Sequence, residues 1–401
     1  MSLAGSQQKV FLRLVGSLRP HWRRDPSLPS RIQELFAVNR SFGSRDRRLY
    51  RELIYTTLRY LPWIEPLLDS DPHRATQTVA WLAADLPATH AFRIALGEGW
   101  MACPGSLAAK AAHLKVSVDD LVPSWLARHC PEAAVSPDLD ALLTRAPLWL
   151  RMQAPHAGAV LSEFTAKGWE WRRSEILPGA VQLLTETDVT KTSAWERGWF
   201  EVQDLGSQSL LETTMIQAGS HWLDACAGAG GKTLQLSALV GAAGHVDAHD
   251  IRPQALRELT IRATRAGALN IAVLEALPVD KKYDGVLVDA PCTGSGTWRR
   301  APHLKWTTSA AQVTEAAEKQ LLLLTQFAGF VRAGGQLIYA TCSLSRMENE
   351  EVVEAFLNAN PQFEPAAPAR TFDATARRVG LAILPARHNT DGFFVAALRR
   401  R

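Results

Sequence analysis

Over roughly the first 135 residues the apolar positions recur at helical spacing, as Leu49, Leu53, Ile54 and Leu58 do, so each segment presents one apolar stripe to a core. Pro20, Pro26 and Pro29 interrupt the pattern and mark breaks between helices. No strand pattern competes there. The character changes over residues 147–215, where PLWLRM and VQLLTE have strand character and AGAVLSEFTAKG predicts a helix stopped by Gly168. From about residue 216 short apolar runs alternate with helical stretches. HWLDACA, HVDAHD, NIAVLE, DGVLVDAP, QLIYATCS and GFFVAALR predict strands, and KTLQLSALVG, PQALRELTIRATRAG and TEAAEKQLLLLTQFAGFV predict helices between them. Alternation of this kind predicts βαβ units and a mostly parallel, doubly wound α/β sheet. In such sheets ligands bind beyond the carboxyl ends of the strands.

The pattern divides the chain into an all-helical domain over 1–140, a small α/β connecting module over 141–215 and a Rossmann-like domain over 216–401. Two or three domains also suit 401 residues at roughly 150 per domain. Lys9 and Arg13 interrupt the apolar N-terminal stretch, which predicts neither a signal peptide nor a spanning helix but a cytoplasmic protein with no membrane association. Five cysteines, at 103, 130, 226, 292 and 342, are odd in number and never form a CxxC pair. That disfavours a disulfide framework and a metal site, and leaves thiols free for chemistry. Residues 1–50 hold ten Lys or Arg against three acids, a balance that suits a polyanionic partner and equally a solvated face.

Three constellations carry candidate chemistry. In DACAGAGGKT, residues 224–233, Gly228, Gly230 and Gly231 let the backbone turn sharply before a helix whose first N–H groups are unpaired. A phosphate-binding Walker loop would need glycine where Cys226 stands, so phosphoryl transfer is disfavoured. Asp250, ending the second strand, stands where a carboxylate accepts hydrogen bonds from ribose hydroxyls, with a cap for the helix near Pro253 as the alternative. His245 and His249 lie across a strand end, unsuited to a metal pair, and are taken as structural. The second constellation is DAPCTGSGTWRR at 289–300, which puts Asp289 and Cys292 at a strand end. The third is QLIYATCS, which puts Cys342 at another. A single buried cysteine is more often an inert small hydrophobe than a nucleophile, but two free thiols at two strand ends of one sheet are hard to explain by packing. The polar-Pro-Pro-aromatic tetrapeptide of adenine and N4-cytosine methylation is absent where DAPC stands.

With these segments in hand, the chain resembles the RsmB/NOL1/NOP2/Sun family of RNA cytosine-5 methyltransferases, most closely its bacterial small-subunit rRNA branch. CAGAGGK at 226–232, DAPCTGSG at 289–296 with RRAPHLKW to 306, YATCSLSRMENEEVV at 339–353 and TDGFF at 390–394 fall in family order. FEVQDLGSQ at 200–208 is similar to the family's lead into its catalytic domain, and FGSRDRRLYRELIYTTLRY at 42–60 resembles a NusB-like RNA-binding domain. Two departures stand out: Gly228 and Ala229 replace the family's Ala-Pro, and AVLEALP offers only Glu275 where the family has an acid after the third strand.

The resemblance implies a class I methyltransferase core, S-adenosylmethionine as cofactor and RNA as partner, with rRNA favoured over tRNA, no metal and a monomeric protein. It assigns the cofactor to Cys226, Ala227, Gly228, Ala229, Gly230, Gly231, Lys232, Asp250, Glu275 and Asp289. Cys342 becomes the nucleophile that adds to C6 of cytosine, and Cys292 assists release. Asp289, protonated or sharing a proton with the base, would stabilise the adduct, and Lys232 would orient the methionine end or the base. Arg299, Arg300, Lys305 and Trp306 are candidates for phosphate and stacking contacts to an unstacked nucleotide, and surface placement or core packing explains the four almost as well. Two further readings stay open. A DNA cytosine-5 methyltransferase would leave the TCS segment unexplained, and a non-catalytic RNA-binding assembly factor would leave Cys292, Cys342, Asp289 and Lys232 without a reason.

Overall fold

The computed structural model describes residues 2–278 and 280–401. The chain forms two compact units: residues up to Arg145 together with Thr297–Ser309, and Ala146–Gly296 together with Ala310–Arg401. The first is helical. Its helices include Leu3–Leu18, Leu28–Val38, Ser44–Arg59, Leu61–Ser70 and Pro72–Leu82. Ser2 and Asp71 cap two of them by accepting from the amides of Gly5 and Arg74. Leu49, Leu53, Ile54 and Leu58 are each at most 2% exposed and meet Phe11, Leu14, Trp63 and Val79 in one core. Among the described residues no helix is long and apolar enough to cross a membrane.

The segment Thr297–Ser309 corrects an expectation. A helix leaves its last carbonyls without intrahelical partners, and at the end of Ser44–Arg59 this segment supplies them. Lys305 Nζ donates to the Arg59 carbonyl at 2.8 Å, and Trp306 Nε1 donates to that of Leu58 at 2.6 Å. Arg299 is buried and donates to Thr144 Oγ1 and the Arg145 carbonyl. Lys305 is 1% exposed, and burial pulls its pKa well below the ordinary lysine value. Arg299, Lys305 and Trp306 are thus committed to the helical core rather than offered to RNA. Arg300 alone of the four is exposed.

The second unit holds two sheets. A small antiparallel sheet comprises β1 (Leu148–Met152), β2 (Trp171–Arg173), β3 (Ala180–Leu183) and β4 (Phe200–Val202), in the order β2-β3-β1-β4. The large sheet contains β5 (His221–Asp224), β6 (His245–His249), β7 (Ile271–Leu274), β8 (Tyr283–Asp289) and β9 (Val331–Thr341). It continues through β10 (Phe363–Pro365), β11 (Thr375–Ala376), β12 (Leu381–Ile383) and β13 (Phe393–Arg400). Its order is β11-β12-β13-β9-β8-β5-β6-β7, with β10 beside β13. Strands β5 to β9 pair in parallel, and β13 runs antiparallel to β9. The six expected strands all form. Strands β10 to β12 were not anticipated, being two or three residues long and too short to show a period.

Helices Gly231–Val240, Pro253–Ala266 and Ala310–Ala328 connect the parallel strands, so the central strands are covered on both faces and read as continuous apolar runs. Leu223, Val286, Val288 and Leu337 are all fully buried. The small sheet is tied to this layer through Glu201 of β4, which accepts from Arg262 at 2.9 Å and Arg265 at 2.5 Å. Gly285 leaves room for the Trp222 ring, since a Cβ there would lie 2.4 Å from three ring atoms. Gly285→Ala is therefore expected to cost about 1–3 kcal/mol of stability through overpacking. Denaturant unfolding checks this, and an unchanged midpoint would show that the ring can move aside.

Candidate active site

Because β5, β6, β8 and β9 are parallel, the loops that follow them leave the same edge of the sheet. The chain proceeds from β5 through β6 to β7 on one side and continues with β8 and β9 on the other. The crevice between β5 and β8 is therefore the switch point at which ligands bind. After β5 the backbone takes φ of +53° at Gly228 and +87° at Gly230, the latter the N-cap of helix Gly231–Val240. At Gly230 a Cβ would fall 2.8 Å from Leu259 Cγ, so the turn needs glycine for both conformation and space. Arg262 Nη1 pins the loop by donating to the Ala229 carbonyl at 2.7 Å.

Lys232, in the first turn of that helix, crosses the crevice to Asp289 at the end of β8, Nζ to Oδ2 2.7 Å. Burial works against its charge, but the Asp289 carboxylate and then the Cys342 sulfur outweigh it, so the Lys232 pKa is raised. Asp289, expected either to be protonated or to share a proton with the base, has the Lys232 ammonium as its partner. The sulfurs of Cys292 and Cys342 lie 3.3 Å apart. The hydrogen bond to Cys342, followed by burial, pushes the Cys292 thiol well above its ordinary pKa. Cys292, Cys342, Asp289 and Lys232 thus converge.

The residues expected around a cofactor line the same edge. Asp250 ends β6 and accepts from the Gly228 amide at 2.8 Å and from Arg252 through both oxygens. These bonds, the Arg252 side chain foremost, hold its pKa down to about 2. It does not cap the following helix, whose N-cap is Arg252. Ala227 N–H donates to the His249 carbonyl, aligning the loop with β6. Cys226 is partly buried, and burial drives its thiol pKa far up, which suits a wall rather than a nucleophile. Glu275 is exposed just beyond β7, at the same edge. His245 bonds Asp247 and His249 bonds the Leu274 carbonyl. Among the described residues no group of three His, Cys, Asp or Glu could hold a metal ion.

Two residues of this region were not picked out from the sequence. Glu348 is fully buried beside both thiol loops. Its only sequence signal is its place six residues after Cys342. Asp224, also fully buried, accepts from Thr233 Oγ1 at 2.7 Å, and an acid immediately before ACAG at a strand end could have marked it.

The fold and this edge define a class I methyltransferase: a doubly wound sheet, a glycine-turned loop at its switch point and an acid ending the next strand. Residues 212–399 match the family described as 16S rRNA methyltransferase RsmB/F. The probable ribosomal RNA small subunit methyltransferase B of Bacillus subtilis is 33% identical over 267 residues, covering 63% of this chain and 58% of its own length. Thus the chain spans less than two thirds of that relative. The Escherichia coli ribosomal RNA small subunit methyltransferase B is 32% identical over 298 residues, covering 70% of this chain and 67% of that protein. Among solved structures, NSun6 from Pyrococcus horikoshii with SFG shares the fold at a TM-score of 0.63 and 18% identity, covering 70% of this chain and 98% of that one. The chain belongs to the RsmB/NOL1/NOP2/Sun family of methyltransferases, in its RsmB/F branch.

Burial raises Asp224 from 3.8 to about 7. An acid whose folded pKa is raised binds more protons folded than unfolded, so its contribution to stability is present at low pH and declines as pH rises between those two values. Asp224→Asn, which cannot ionise, is expected to remove that decline. Unfolding free energies measured across this interval test it, and parallel profiles for the two proteins would refute the assignment.

Proposed function

We propose that the protein transfers a methyl group from S-adenosylmethionine to C5 of a cytosine in small-subunit rRNA, through a covalent bond between Cys342 and C6 of the base. The observation that carries this reading is the pair of sulfurs 3.3 Å apart beside the Lys232–Asp289 ion pair at the strand-end crevice. The names of the relatives favour rRNA over tRNA. The same reading makes it a cytoplasmic protein working as a single chain.

The residues present fit the cofactor. The amides at the start of helix Gly231–Val240 suit its carboxylate, Asp250 suits its ribose hydroxyls in competition with Arg252, and Glu275 lies at the adenosine side. The cofactor supplies an electrophilic methyl group. C5 of cytosine is a poor nucleophile until a thiolate adds to C6 and turns the ring into an enamine. The Lys232 ammonium interacts with both Asp289 and the Cys342 sulfur. Asp289 can accept from the amino edge of the base, which distinguishes cytosine from uracil. After methylation the C5 proton leaves, the C6–sulfur bond breaks and Cys342 recovers its electron pair. Once Cys342 is bonded to carbon its sulfur no longer shares a proton with Cys292. This removes the first cause that holds Cys292 as a thiol, so that Cys292 can release its own proton to solvent and, as a thiolate, take the C5 proton.

In the helical unit Lys9, Arg24, Arg40, Arg45, Arg48 and Arg300 are exposed, and exposed cations are what contacts to an RNA backbone require.

In denatured lysates of a host expressing each variant, Cys292→Ala is expected to carry an RNase-sensitive upshifted band and Cys342→Ala to carry none. Purified Cys342→Ala should methylate RNA only at background. An upshift confined to Cys342→Ala would reverse the two roles, and wild-type turnover matched by Cys342→Ala would end the covalent reading.

A further inference from the structure

Glu348 sits in the turn Arg346–Glu348, 0% exposed, its carbonyl held by Tyr339 Oη at 2.5 Å. Burying a carboxylate is costly unless charge-assisted hydrogen bonds replace its hydration, and the donors that do so here share one property. Thr293 gives two, its amide to Oε1 at 2.8 Å and its hydroxyl to Oε2 at 2.5 Å. Ser343 gives its hydroxyl to Oε2 at 2.5 Å. Gln320 Nε2 donates to Oε1 and to the Pro291 carbonyl, both at 3.0 Å. Thr293 follows Cys292 by one residue, Ser343 follows Cys342 by one, and Pro291 precedes Cys292. The same two loops are joined again where the Gly296 amide donates to the Cys342 carbonyl at 2.9 Å and the Leu344 amide to Ser295 Oγ at 2.8 Å.

We infer that Glu348 is a positioning residue: its two oxygens strap the Cys292 loop to the Cys342 loop and so set the separation of the two thiols. Its part in catalysis rests on the function proposed above, but the geometry it enforces does not. An ordinary core residue could be replaced at the expense of stability alone, whereas removing a strap lets the sulfurs drift in a protein that still folds.

The test oxidises the purified full-length protein with diamide. The two thiols give up two electrons and two protons, diamide becomes the corresponding hydrazine, and peptide mapping by mass spectrometry follows the Cys292–Cys342 disulfide. Glu348→Ala is expected to slow its formation by about 10-fold or more, with Glu348→Gln in between because an amide keeps one acceptor. Thr293→Val and Ser343→Ala, each losing one strap, should slow it less, and they carry the test if Glu348→Ala does not fold. In methylation assays kcat should fall in the same order while KM for S-adenosylmethionine stays constant. Folded Glu348→Ala, or both single-strap variants, forming the disulfide at the wild-type rate would overturn the inference. A wild type that methylates no RNA would instead sink the proposed function, and the oxidation rates would still decide the strap.

Discussion

The constraint on which the rest of the active edge depends is the parallel pairing of β5, β8 and β9. Parallel strands end together, so three loops far apart in sequence open onto one crevice without any loop needing to be long. Register makes this specific. Asp224 pairs with Leu287 and Asp289 pairs with Ala340, which puts Cys342 two residues past the level of Asp289. A slip of one residue would turn every one of these side chains to the opposite face. The one irregularity between β8 and β9 lies at Tyr283/Gly285, at the far end of the sheet, so pairing is regular where the chemistry sits.

Within that edge three acids meet the cost of burial in three ways. Asp289 takes an ammonium as its partner, Glu348 takes neutral donors from the backbone and side chains, and Asp224 has its pKa lifted to about 7 by burial. The differences follow from what each strand end brings near. A lysine in the first turn of a helix opposes the helix dipole, and an anion across the crevice offsets that penalty, so Lys232 and Asp289 are each intelligible only with the other. Glu348 has polar hydrogens on several sides and is ordered by geometry more than by net charge.

Much of this was legible in the sequence because it is local. Each of the parallel strands is a short apolar run bounded by a turn, and Gly228, Gly230, Asp250, Cys292 and Cys342 stand at strand ends that such runs reveal. What escaped is non-local. Nothing near Lys305 or Trp306 in sequence says that their donors reach the carbonyls of Arg59 and Leu58, more than 200 residues away. A cluster of cations and an aromatic after an active-site motif therefore suited an RNA contact and core packing almost equally. The division of the chain, with Thr297–Ser309 in the helical unit, has the same origin. Glu348 was missed for a related reason: a glutamate in an acidic run looks solvated until its donors are known.

The two thiols illustrate how environment separates residues of one type. Both are partly exposed and they touch, so accessibility does not distinguish them. The distinction lies in their other neighbours. Cys342 interacts with the Lys232 ammonium, whereas Cys292 lies near the Glu348 carboxylate, which adds to the hydrogen bond and burial that already disfavour its ionisation. Cys342 thus has a positive neighbour and Cys292 a negative one, although the two sulfurs touch. That arrangement suits addition to a ring.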